Sequence, residues 1–259
     1  MTTLSSFADA ARPLPCEPWK FWASAGFGLA AMALWSAAQI AAGEALIGWL
    51  GAGGDRAARE LDGLTAHGLY ISLLTIATAP APLAAIALAV RLARCRFADY
   101  LALALPRRRD LIVGLLILAA LLPFADLVSY LSGRPIAPEF VKEIYRTARD
   151  GGTLQLLLLL FALVGVAPVA EEILFRGFLL RGLAASRVGA VGGIALTSAG
   201  WAAMHTQYDW FFIGPILVLG VAFGWLRLRS GSTALTILLH AAVNLTALAQ
   251  TAAIVEWLS

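Results

Sequence analysis

Seven stretches of this chain stay apolar for about 20 residues, the length a helix needs to cross the hydrocarbon core of a bilayer. They cover residues 21–42, 69–90, 111–131, 153–174, 188–205, 211–228 and 233–257. The fourth pattern runs on as a longer helix through Leu180. Pro80 and Pro82 interrupt the second, which a membrane helix tolerates where neighbours satisfy the freed backbone groups. The intervening polar segments are short: a Gly-rich stretch at 51–54, a basic stretch at 91–110 and an amphipathic stretch at 138–150. This pattern predicts an all-α fold, a polytopic transmembrane bundle of seven or eight spans enclosing a buried polar cavity. We expect residues 1–152 to form an N-terminal tail and three spans, and residues 153–259 the core that carries the chemistry, within one integrated bundle.

Composition agrees with the pattern. Hydrophobic residues make up 60% of the 259, charged residues 14%, and mean hydropathy is +0.81. A soluble domain carries about 25% charged residues, so this chain lacks the polar surface to cover itself in water. Cys16 and Cys95 are far apart and lack metal-type spacing, which argues against a disulfide scaffold and a cysteine metal site. The net charge of +3 does not point to nucleic acid, because the basic residues follow membrane topology. Arg12, Lys20, Arg91, Arg94, Arg96, the arginine run 107–109, Arg181, Arg187, Arg227 and Arg229 fall on one side of the alternating spans. Arg56, Arg59, Arg134, Lys142, Arg146 and Arg149 fall on the other, mostly beside acids such as Glu60, Asp62, Glu143 and Asp150. Short cytoplasmic loops retain Lys and Arg, so the N-terminus is expected inside and the cavity is expected to open toward the cytoplasm. The first residues lack the pattern of a cleaved signal peptide and read as a cytoplasmic tail. The preference for Arg over Lys, with abundant Ala, suggests the cytoplasmic membrane of a prokaryote.

The candidate chemistry lies in the last four spans. Glu171, Glu172 and Arg176 follow a nearly unbroken apolar run; Trp201 and His205 lie in the next span, and His240 and Asn244 in the last. A charge at mid-bilayer costs about 2.5–3.5 kcal/mol on insertion scales, and adjacent carboxylates repel unless paired or protonated. Glu172 and Arg176 are spaced for an i,i+4 ion pair with the acid N-terminal. Glu171 is turned by about 100° from Glu172, toward other partners. His240 and Asn244 share one helix face, as do Trp201 and His205.

Each residue has a plain reading when taken singly. Glu172 and Arg176 form a neutral packing pair, Glu171 a protonated helix contact, and either histidine a bridge between helices. Trp201 reads as packing or interfacial anchoring, and the arginines at 107–109 as a topology signal in contact with anionic lipid. His67 receives no role. Together, the polar groups supply what peptide hydrolysis needs: a base for water, a donor for the leaving amine and stabilisation of an oxyanion. A carboxylate in a desolvated pocket has its pKa raised and can act as base and then acid. Glu171, His205 and His240 could equally hold a divalent metal such as zinc. The chain lacks His-Glu-x-x-His and the Gly-x-Ser-Gly and Gly-x-Gly-Asp motifs, which argues against a zincin and against serine-type or aspartyl-type intramembrane proteases.

The order Glu-Glu-x-x-x-Arg, aromatic-x-x-x-His, His-x-x-x-Asn resembles the CPBP family of intramembrane proteases. That family includes type II CAAX prenyl endopeptidases and Abi-like bacterial relatives linked to bacteriocin processing and immunity. The resemblance covers residues 156–247, with Gly177 also fitting and Trp201 standing where the family often has Phe. It implies Glu171 as catalytic base, His205 as its partner on water, His240 and Asn244 as the oxyanion pocket, and Glu172 and Arg176 as structural support. It implies a peptide or membrane-protein substrate at the lipid boundary and leaves metal-dependent and glutamate-dependent mechanisms both open. The alternatives from the residues alone are a proton- or ion-coupled transporter and a catalytically silent membrane scaffold.

Overall fold

A computed structural model describes residues 17–50 and 66–258. The 51–54 stretch and the charged residues Arg12, Arg56, Arg59, Glu60 and Asp62 invoked above lie outside the described residues. The described chain is helical: α1 Phe21–Leu50, α2 Gly68–Thr78, α3 Pro80–Leu92, the short α4 Phe97–Tyr100, α5 Arg108–Leu131, α6 Glu139–Asp150, α7 Thr153–Ala184, α8 Gly189–Ala203, α9 Trp210–Ser230 and α10 Thr233–Trp257. Among the described residues six helical stretches are long and apolar enough to cross a membrane, α2 and α3 counting as one of them. The break between α2 and α3 falls at Ala79, where Pro80 opens the next helix without an N–H to donate. The protein is an integral membrane protein.

The expected fifth span is the exception. As α8 it holds 15 residues, about 22 Å of rise, short of the roughly 30 Å core. It stays close to its neighbours because small residues line the contacts. A Cβ on Gly220 of α9 would meet the Ser198 Cβ at 3.0 Å, and one on Gly193 would meet the Ala184 backbone at 3.1 Å. Close backbone approach at small residues is how helices associate without help from water.

The buried centre is built from Ile86, Tyr100, Leu174, Phe175, Phe178, Phe223, Leu226, Leu235 and Leu239. Leucines such as Leu115, Leu116, Leu127 and Leu157 point outward, as lipid-facing helices require. Residue 182 must be glycine where α7 crosses α1, because a Cβ there would fall 1.8 Å from Ser24 Oγ and 2.7 Å from the Trp19 carbonyl. His67 caps α2 by accepting from the Leu69 N–H.

Polar contacts fix the two ends of the bundle. At one end the Arg181 guanidinium donates to the carbonyls of Asp99 and Tyr100, and Arg229 faces Asp110 at 3.9 Å. The same end holds Arg227, which donates to Thr233 Oγ1 at 2.8 Å. Gly231, at φ +68°, supplies the left-handed turn that lets α10 start there immediately after α9. At the opposite end Arg134 pairs with Asp209, and Arg149 with Glu256 at 2.9 Å. Arg181, Arg227 and Arg229 thus lie at one end of the bundle and Arg134 and Arg149 at the other.

Candidate active site

α7 positions the acidic pair, and it is not a uniform α-helix. Two wider π-type turns, Phe161–Val166 and Ile173–Leu179, flank the α-helical segment Ala167–Glu172. Pro168 lies in the first turn of that segment and has no N–H to donate backward. Wider turns shift the register of all that follows and concentrate at functional sites. Here they set Glu171 and Glu172 on a short block whose angle differs from an even 3.6-residue count.

Glu172 and Arg176 are fully buried and paired, Oε1 to Nη1 at 2.9 Å. The Arg176 guanidinium lies over the Trp201 ring at 4.3 Å from its centroid and also donates to the Gly220 carbonyl at 3.4 Å. His240 Nδ1 approaches the same Glu172 oxygen at 3.1 Å. Because that oxygen already accepts from a cation, Nδ1 is the donor in this contact and Nε2 is the nitrogen left for chemistry. Glu172 therefore does more than balance Arg176: it fixes the orientation of His240.

Glu171 points elsewhere, as its 100° offset requires. Trp201 Nε1–H donates to Glu171 Oε2 at 2.6 Å. The sequence assigned Trp201 to packing or anchoring; the ring is indeed buried in the core, and its N–H adds a polar contact. Its indole bonds Glu171, carries Arg176 on one face and meets the rings of His205 and His240 edge-on, each at 5.2 Å between centroids. The i,i+4 spacing to His205 was visible in the sequence, but the partner of the indole N–H was not.

His205 lies just past the end of α8, with Nδ1 at 2.9 Å from the Trp201 carbonyl. The helix stops before His205, so the side chain turns back over the Trp201 ring. Straight spans would have left Glu171 and His205 at different depths; the short α8 and the π-type turns of α7 bring both onto one tryptophan. Asn244 Nδ2 donates to the Leu163 carbonyl at 2.7 Å, a carbonyl in the first π-type turn.

These groups border a cavity of about 200 Å³ lined by Trp201, His205, His240 and Asn244 with apolar residues between them. Glu171 is half-buried and reaches this wall through Trp201. Tyr208, which the sequence reading overlooked, also lines the cavity and stacks on His205 at 6.2 Å. Burial pushes its phenol up to about 12, offset in part by a hydrogen bond with Gln207 and reinforced by the charge of Glu171. The hydroxyl is therefore a neutral donor at physiological pH. Nothing in the sequence around Tyr208 marks it beyond its nearness to His205.

The cavity lies toward one end of the bundle. Its rim is formed by Ile136, Ala137, Pro138, Tyr208 and Phe212, at the end held by the Arg134–Asp209 pair and away from the arginine-rich end. Among the described residues no three His, Cys, Asp or Glu side chains stand close enough to share a metal ion.

Residues 153–246 match the family model described as type II CAAX prenyl endopeptidase Rce1-like. The match takes in both glutamates, Arg176, Trp201, His205, His240 and Asn244. The similarity covers a little over a third of the chain and is consistent with the CPBP resemblance carried by the motifs. No curated protein and no solved structure matches the chain at a significant level.

Proposed function

We propose that the protein is an intramembrane endopeptidase in which Glu171 activates water against a peptide bond held in the cavity beside Trp201. The observation that carries this reading is the 2.6 Å bond from Trp201 to Glu171 at a wall shared with His205 and His240. With Oε2 fixed by the indole, Oε1 acts as base, takes a proton from water and lets the hydroxide attack the carbonyl carbon. His205, held by its Nδ1 on a backbone carbonyl, orients that water through Nε2.

The developing oxyanion needs donors aimed at it before the reaction starts. Asn244 supplies one, since Nδ2 has two N–H bonds and Leu163 occupies a single one. His240 supplies the other as an imidazolium, with Nδ1 on Glu172 and Nε2–H toward the cavity. When the tetrahedral intermediate collapses, the C–N bond breaks and Glu171 returns its proton to the leaving amine. No step is routed through a metal.

The test compares wild type with Glu171→Gln in lipid nanodiscs against a fluorogenic peptide library, with and without chelator, after thermal unfolding shows equal stability. Cleavage by wild type alone establishes the assignment. Cleavage by both proteins refutes Glu171 as the base, and loss on chelation with rescue by zinc overturns the metal-free route.

A further inference from the structure

The residues bordering the cavity climb α10 in one stripe: His240, Val243, Asn244, Ala247, Gln250 and Thr251. At 1.5 Å per residue they rise about 16 Å from His240 toward the C-terminal end of α10. That is the end where Glu256 pairs with Arg149 of α6. The other walls come from the 136–138 segment before α6 and from residues 205–212 before and within α9, all at the same end. None comes from the opposite end, where α4, the start of α5, the end of α7 and the turn between α9 and α10 meet.

Basic residues divide unequally between these ends. The cavity end carries Arg134, Lys142, Arg146 and Arg149 among the described residues. The closed end carries Lys20 and the arginines at 91–96, 107–109, 181, 187, 227 and 229. Retention of Lys and Arg in the cytoplasm depends on their number and is little affected by neighbouring acids, so the acids around α6 do not alter this comparison. The closed end is the cytoplasmic one.

We infer that the site opens to the extracytoplasmic face and takes its substrate from there: an exported peptide, or the extracytoplasmic juxtamembrane segment of a membrane protein. This reverses the cytoplasmic opening expected from sequence. The nature of the substrate rests on the peptidase reading above; the side from which it enters does not. The rim suits a segment lying at the interface, with Trp210 87% exposed and Tyr130 and Leu131 exposed nearby. Aromatic residues of this kind sit at the level of lipid headgroups.

The test places one cysteine at the rim, Gln207→Cys or Ile136→Cys, and one at the closed end, Ala185→Cys. All three positions are exposed and none bears charge, so topology signals are untouched. Intact cells are treated with a membrane-impermeant maleimide and compared with permeabilised cells, the unsubstituted protein giving the background. We expect both rim cysteines to label in intact cells and Ala185→Cys to label only after permeabilisation; the converse overturns the inference. A membrane-impermeant fluorogenic peptide is then offered to spheroplasts and to inverted vesicles. Glu171-dependent cleavage in spheroplasts supports the inference, and cleavage confined to inverted vesicles overturns it. Rim labelling from outside with no cleavage from either face removes the peptidase reading, and with it the substrate class, while leaving the orientation of the cavity established.

Discussion

Trp201 and Glu171 are joined by a single hydrogen bond of 2.6 Å, indole to carboxylate, across two helices and 30 residues of sequence. Through this bond the half-buried acid meets the residue that also touches His205, His240 and Arg176. Trp201→Phe keeps an aromatic ring against these neighbours and deletes the N–H. A hydrogen bond to a charged group contributes about 1.5–3 kcal/mol, so we expect the turnover number to fall about ten- to hundredfold with KM little changed. Steady-state kinetics at matched thermal stability checks this. An unchanged turnover number would relieve Trp201 of any positioning role.

The buried Glu172–Arg176 pair leads to a non-additive stability pattern. Removing one partner strands the other charge in a site without water, at a cost of about 3–5 kcal/mol. Arg176→Met and Glu172→Gln should each lower the melting temperature in detergent substantially, and the double variant by less than the sum of the two. Additive losses would mean that the two side chains do not depend on each other. Glu172→Gln should also depress activity through His240, whose Nδ1 would lose its carboxylate partner.

At the rim, Arg134 pairs with Asp209 and lies over the rings of Phe211 and Phe212 at 5.1 and 5.9 Å, tying the segment before α6 to the start of α9. Half-exposed ion pairs add about 0–1 kcal/mol, so Arg134→Ala should hardly move the melting temperature. It should nevertheless loosen the rim. A cysteine at Ala137, now 5% exposed, should react faster with maleimide in the Arg134→Ala background. Equal rates would show that the pair does not restrict entry.

The amphipathic helix α6 should respond to acid through Glu139. Hydrogen bonds from Lys142 and Arg146 hold this carboxyl below its ordinary value of 4.5. A carboxyl depressed in the folded state stabilises it above the unfolded pKa, and the contribution is lost as pH falls through the folded value. Glu139 is largely exposed, so the effect is small. Wild type should melt slightly above Glu139→Gln at neutral pH, and the gap should close as pH drops below about 4.5. A gap that persists in acid would assign the effect to something other than ionisation.

The sequence by itself determined the membrane class, most of the spans and the polar residues able to do chemistry. Each follows from free energies that depend on residue type and position along the chain: transfer of apolar side chains to lipid, the cost of a buried charge, the retention of arginine in the cytoplasm. Glu172–Arg176 was legible for the same reason, because i,i+4 spacing is a property of one helix. Only the tertiary structure decided the rest. The π-type turns around Ala167–Glu172 and the stop of α8 before His205 depend on how neighbouring helices fill the space around them, and hydropathy does not record that. The role of Trp201 depends on an N–H meeting a carboxylate from another helix. The place of the cavity depends on how the segment before α6 packs against α9 and α10. Pattern along one dimension fixes what must be buried; packing in three decides what the buried groups touch.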